Sequence, residues 1–181
     1  MPVLIVIVVL VVIIIAMYNS LQTEKNKVEK AWSQIDVELQ RRFDLIPNLI
    51  ETVKGYMEHE KELLTKVTDL RSSWANAQTV ADKSKLNGDL SSTLKSIMAI
   101  SEGYPDLKAN QNFMALQQEL SNTESKIASV RQAYNEAVTT YNTKLEVIPT
   151  NIVGSVFGFK QRELFNVESE EVRKNVKVDF S

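Results

Sequence analysis

The sequence predicts an all-α protein: an elongated antiparallel four-helix bundle of long helices, preceded by one N-terminal transmembrane helix. Three observations carry that expectation. Residues 1–23 contain no charge, apolar residues then recur three and four apart over two long stretches, and Gly103, Pro105 and Pro149 punctuate the pattern between them. A chain of 181 residues has the size of one domain. The expected divisions are an anchor over 1–20, a helical bundle over 21–148, and a short helix with an irregular aromatic tail packing on the bundle over 149–181.

The leader "VLIVIVVLVVIIIAM", Val3 to Met17, is apolar throughout. As a helix, the uncharged stretch reaches roughly 34 Å against a hydrocarbon core of about 30 Å. Its Val and Ile content would favour a strand in water, but in lipid only a helix satisfies every backbone N–H and C=O within one segment. A cleaved signal peptide fits less well than a retained signal-anchor, because no basic residues precede the run and "AMYNS" offers no small-x-small cleavage site. Lys25, Lys27 and Lys30 follow the span, so the positive-inside rule places the amino terminus outside and the bundle in the cytoplasm.

The first seam runs through Val28, Trp32, Ile35, Leu39, Ile46, Leu49, Val53, Tyr56, Leu63, Val67, Leu70, Trp74 and Ala77, with Arg42 and Glu60 on the same register. A period near 3.5 held this long is the signature of a coiled coil or bundle helix. The register crosses Pro47 unchanged, which favours a helix that bends there and continues. The alternative is a new helix capped by Asp44, with Pro47 in its first turn where a missing N–H does no harm. Phe43, Ile50, Met57 and Leu64 follow the seam by one residue and widen the apolar stripe.

A shorter helix carries Leu86, Leu90, Leu94, Ile97 and Ile100 and stops at Gly103 and Pro105. A second long seam follows, from Phe113 through Leu120, Ile127, Tyr134 and Tyr141 to Ile148, with Asp106 or Asn110 able to cap it and Pro149 closing it. The last residues form one short helix from about Thr150 to Phe157 and then a tail held down by Phe157, Phe159, Phe165 and Phe180.

The chain is poor in reaction chemistry. With no cysteine there is no thiolate metal site or nucleophile. The single histidine, His59, has Leu63 four residues later and Tyr56 three residues earlier, so neither a zincin nor a di-iron helix motif is met. The glycines form no phosphate-cradling loop, and 21 basic against 23 acidic residues leave no global field for nucleic acid. The expectation is no enzyme, no metal and no cofactor. A buried charge must be paired or it costs several kcal/mol, so Arg42 and Glu60 are each expected to find a partner on a neighbouring helix or at a subunit contact, or else to reach water at the seam's edge. Asn48, beside Pro47, could bond the carbonyl that the proline frees.

Four segments in order, "AWSQIDVELQRRFDLIPNLIETVKGYMEHE", "YPDLKANQNFMALQQELSNTESKIASVRQAYNEAVTTYN", "IPTNIVGSVFGFKQRELF" and "VKVDF", resemble the LemA family of bacterial membrane proteins. That resemblance implies an antiparallel four-helix bundle on a single-pass anchor in the bacterial cytoplasmic membrane, with no catalytic residues and no defined activity. One departure is "SLQTEKNKVEK", where acidic residues interrupt the basic stretch that often follows the anchor in the family. The Arg41, Arg42, Asp44, Pro47, Asn48, Gly55 and Tyr56 pattern is family-like and marks a candidate partner surface or special backbone.

Three functions follow as expectations. The first is a membrane-anchored, non-enzymatic scaffold or adaptor presenting a bundle surface to a protein partner or to its own copies. The second is a ligand- or metal-dependent sensor or enzyme with a site between helices built from Arg42, Asp44, Glu58, His59 and Glu60. The third is a lipid-interacting, membrane-organising protein acting through "NIVGSVFGFKQRELF", against which a tail folded onto the bundle end explains the same residues.

Overall fold

Every regular element among the described residues is helical, as the periodicity requires. The computed structural model describes residues 1–57 and 59–166. The helices are α1 (Pro2–Asp44), α2 (Ile46–Lys54), α3 (Lys61–Asn76), α4 (Val80–Ser101), α5 (Pro105–Lys108), α6 (Gln111–Glu146) and α7 (Thr150–Val156). Glu58 and the tail from residue 167, including Phe180, lie outside the described residues.

The chain divides into two compact units. The first comprises residues 1–37 and 127–164. Its N-terminal helical turns are long and apolar enough to cross a membrane, and Val3 to Ile15 bury nothing against the protein. Packing starts at Leu21 and continues through Val28, Ala31 and Ile35, facing Ile127, Tyr134, Val138 and Tyr141 of α6. The two helices run in opposite directions. Trp32 meets Tyr134 with ring centroids 5.6 Å apart, while further along α6 Lys144 Nζ donates to Ser20 Oγ and Glu24 Oε1, both at 2.9 Å.

The chain turns at Pro149, after a cis Ile148–Pro149 peptide, into α7. Val153 and Gly154 face inward. A Cβ at Gly154 would stand 2.7 Å from Leu145 Cδ2 and 3.8 Å from Leu21 Cδ1, so the bare backbone lets α7 approach both long helices. Beyond α7 the chain has no ladder of its own, and a side chain row on α6 satisfies it instead. Tyr141 Oη donates to Lys160 O at 3.0 Å and Tyr134 Oη to Glu163 O at 2.8 Å. Asn142 both donates to Arg162 O and accepts from Arg162 N, at 2.8 and 2.9 Å. Tyrosine and asparagine on α6 thus hold this backbone, and of the expected aromatic anchors Phe157, although 53% exposed, and Phe159 both meet Tyr18.

The second unit comprises residues 38–126 and the described residues from Phe165 onward, with Phe165 itself buried. The expectation of one helix bending through Pro47 to Ala77 is corrected here. α1 ends at Asp44, and Pro47 lies in the first turn of α2. Asp44 does not cap that helix: Leu45 holds the N-cap position with no side-chain bond. Leu45 nevertheless stays in right-handed helical geometry, φ −77° and ψ −18°, so the phase survives the break. Phe43, Ile46, Leu49, Val53 and Met57 are all buried in consequence.

A second interruption separates α2 from α3, with Gly55 as the C-cap of the former and Glu60 as the N-cap of the latter. Seam spacing hides it, because the buried seam residues Val53 and Val67 sit close to a whole number of helical turns apart. α3 packs on α4 and α2. α4 opens at Thr79, whose Oγ1 accepts from Asp82 N at 3.0 Å, and α6 opens at Asn110, whose Oδ1 accepts from Asn112 N at 2.9 Å and Phe113 N at 3.2 Å.

Candidate functional site

In the second unit, the last turn of α1 aims adjacent residues in three directions. Arg42 points into the core and is 1% exposed. Its Nη1 donates to Asn87 Oδ1 at 2.8 Å and Ser91 Oγ at 2.9 Å, one helical turn apart on α4, and its Nη2 lies 3.5 Å from Glu124 Oε2 on α6. Burial pulls the guanidinium's pKa down, and Glu124 pushes it back up. A cation taken out of water is tolerable only with such partners. Arg42 therefore ties α1, α4 and α6 from within, the first of the two outcomes its seam position left open, and it is not available to a partner at the surface. Glu60, the other seam charge, is only half-buried at the start of α3.

Phe43 and Asp44 serve another contact. Phe43 stacks on Trp74 of α3 with centroids 4.4 Å apart and planes 10° off parallel. Gln40 Nε2 donates to Asp44 at 2.8 Å, while Gln40 Oε1 accepts from Trp74 Nε1 at 3.0 Å. Lys83 Nζ lies 4.9 Å from the centroid of the same indole.

Arg41 points to a third face, where it pairs with Glu119 of α6. Glu119 lines an open groove of about 760 Å³ between α2 and the start of α6, together with Asn48, Glu51, Thr52, Asn110 and Asn112. Tyr56 Oη accepts from Asn110 Nδ2 at 3.2 Å, so the residue that caps α6 is steadied from the turn after α2. The Asn48 side chain is exposed in this groove and makes no bond to the carbonyl freed by Pro47; its own carbonyl accepts from Thr52 Oγ1 at 2.7 Å. Gly55 has φ −75° and nothing within 4 Å of a built Cβ, so no steric demand explains its glycine.

Of the sequence-marked residues, then, Asn48 lines the groove, Arg41 and Tyr56 bond to its lining residues Glu119 and Asn110, and Pro47 lies in the first turn of the helix that walls it. Arg42 belongs to the core and Asp44 to the α1–α3 contact. Among the described residues the expected inter-helix site does not come together: Arg42 and Asp44 engage different partners and His59 is exposed, while Glu58 lies outside the described residues. Among the described residues no group of three or more His, Asp or Glu side chains could hold a metal ion. Sequence reading missed Asn87, Ser91 and Glu124. Asn87 was the legible one, a polar residue one turn before Leu90 on the apolar side of α4.

A leading helix long and apolar enough to cross a membrane, continuous with antiparallel helical packing, fits a membrane-associated helical protein. The chain belongs to the LemA family, whose model matches residues 31–180. It is similar to Protein LemA of Metamycoplasma hominis, with 28% identity over 166 residues, covering 86% of this chain and 75% of that protein. It is also similar to Magnetosome protein MamQ 2 of Paramagnetospirillum magneticum, at 25% identity over 174 residues. A third relative is Magnetosome protein MamQ of Magnetospirillum gryphiswaldense, at 24% identity over 175 residues. The match covers 82% of this chain in both magnetosome proteins and 64% of their own length, so the chain spans less than two thirds of them.

Proposed function

We propose that this protein is a membrane-anchored, non-enzymatic scaffold that presents the α2–α6 groove to a protein partner or to a second copy of itself. The carrying observation is that, of residues marked in the sequence as one motif, Asn48 lines that groove while Arg41 and Tyr56 bond to its lining residues Glu119 and Asn110. The groove is open and lined by amides, a threonine and carboxylates beside Leu45, Ala115 and Leu116, a mixed surface that suits both hydrogen bonding and apolar contact with a peptide. In this reading α1–α2, α3, α4 and the start of α6 form an antiparallel four-helix bundle around Arg42. Residues 1–20 sit in the bacterial cytoplasmic membrane with the amino terminus outside and the helical units in the cytoplasm.

Crosslinking and pull-down from native membranes test the scaffold reading with Asn48→Arg and Asn112→Arg, which add bulk and charge at the groove without touching the core. Recovery of a specific protein or of a second copy by the wild type, lost in both variants while membrane insertion is unchanged, supports it. Only monomer in the wild type, or equal recovery by all three, sinks it. Turnover of a substrate by the purified protein would remove the non-enzymatic part.

A further inference from the structure

The first unit leaves an apolar surface facing outward where α6 meets α7. Ile152 and Val156 are 61% and 74% exposed, four residues apart and so on one face of α7, and Ile148 in the turn before the helix and Phe157 just after it are 79% and 53% exposed. Val153 and Gly154 occupy the opposite, inward side of the same short helix. Scattered single apolar residues on a surface need no explanation, but a contiguous patch does.

The position of the patch identifies what covers it. Tyr18 of α1 meets Phe157 and Phe159 edge-on, with centroids 5.0 and 5.6 Å apart. Gly154 abuts Leu21. Both contacts fall in the last turns of the uncharged stretch, and the first carboxylate after it, Glu24, is engaged by Lys144 one turn further on. From Pro2 to Leu21 the helix rises roughly 30 Å, the thickness of the hydrocarbon core. α7 is therefore packed beside the end of the membrane span, at the level where tyrosine rings settle between acyl chains and headgroups. Its exposed side therefore stands next to the end of the apolar stretch of α1.

We propose that the α6–α7 corner is a lipid-contacting element: Ile148, Ile152, Val156 and Phe157 enter the interface of the same bilayer that holds α1, so that α7 lies on the membrane beside the anchor. The two readings of this segment that the sequence holds apart, a tail folded back on the protein and an interfacial segment, are then two faces of one helix. Val153 and Gly154 dock it, and the exposed side inserts. The proposal rests on α1 being a membrane anchor.

The native chain has no cysteine, so single cysteines can be labelled uniquely in the full-length protein. Bimane is attached at Ile7→Cys in the span, at Ile152→Cys and Val156→Cys on the exposed face of α7, and at Gln132→Cys, an exposed α6 position in the same unit. Each variant is reconstituted into phosphatidylcholine–phosphatidylglycerol vesicles with plain or brominated acyl chains, and iodide is added to the buffer. The proposal expects brominated lipid to quench positions 7, 152 and 156 but not 132, and iodide to quench 132 above the others. Lipid quenching at 7, with 152 and 156 as open to iodide as 132, overturns the interfacial corner and leaves the anchor standing. Protection of 152 and 156 from both quenchers signals a protein contact and overturns it as well. No lipid quenching at 7 overturns the anchor and the corner together.

Discussion

Arg42 Nη1 lies 2.8 Å from Asn87 Oδ1, a hydrogen bond between two buried side chains that joins α1 to α4. Because one partner is a cation, the bond is of the stronger kind, and Asn87→Ala is expected to cost about 1.5–3 kcal/mol. Arg42→Met alone leaves Asn87 polar and unpaired. Arg42→Met combined with Asn87→Leu restores an apolar contact and is expected to cost less than the two single changes added together. Denaturant unfolding in detergent, followed by the fluorescence of the buried Trp74, measures Asn87→Ala, the single changes Arg42→Met and Asn87→Leu, and those two combined. Strict additivity would mean that the two residues do not act as a pair.

Glycines 55 and 158 should respond in opposite senses. Gly158 has φ +72°, a left-handed conformation that costs an L residue roughly 1–2 kcal/mol, so Gly158→Ala is expected to lower stability by that amount. Gly55 has right-handed geometry and free space around it, so Gly55→Ala should be neutral or stabilise by about 0.4–1 kcal/mol through the unfolded chain. If Gly55→Ala keeps full stability yet reduces partner recovery, the glycine belongs to the contact surface. Thermal melts of the pair, read beside the pull-down, separate the two effects.

The cap at Asn110 gives a local test. Asn110→Ala removes the acceptor for Asn112 N and Phe113 N and is expected to cost about 1 kcal/mol. Hydrogen exchange should quicken at those amides first. Tyr56→Phe removes only the hydroxyl that accepts from Asn110 Nδ2 at a half-exposed position, so its effect should be a fraction of the cap's. An equal loss from both would show that the tyrosine contact, not the cap, sets the stability of this corner.

Glu24 makes the first unit acid-sensitive. The hydrogen bond from Lys144 chiefly lowers its pKa below 4.5, burial opposes that, and Lys27 adds to the lowering. A carboxylate with a depressed folded pKa contributes stability at pH values above the unfolded pKa, and the contribution disappears as pH falls through the folded value. The Lys144–Glu24 link should therefore be intact at pH 6 and weaken only in the acid range. Melting temperature followed downward in pH should fall less steeply for Glu24→Gln than for wild type. Identical acid limbs would assign the sensitivity to other carboxylates.

Much of the helical content was legible because burial imposes a period on the chain. Val28, Ile35, Leu39, Ile46, Leu49 and Val53 fall on the expected seam and are buried. The α4 stop at Gly103, the α6 cap at Asn110 and the short helix after Pro149 also lie where residue type demands them. The breaks around Leu45 and at Gly55 to Glu60 were not legible, since each preserves the helical phase that the pattern measures. Tyr56 illustrates the same limit: it sits on the register, yet the turn after α2 exposes it and buries Met57 instead.

By itself the sequence determined that the chain is helical, that its first helix is apolar enough for a bilayer, and that Arg42 stands on a buried register and needs partners. Those are consequences of composition and spacing, which act locally along the chain. Tertiary structure alone decided that the partners are Asn87, Ser91 and Glu124, that Arg41 and Tyr56 bond to residues of the groove that Asn48 lines, and that α7 turns Ile152 and Val156 outward beside Tyr18. The reason is that these pairings join residues far apart in sequence, and a helical period specifies which face a residue occupies without specifying which other helix that face will meet.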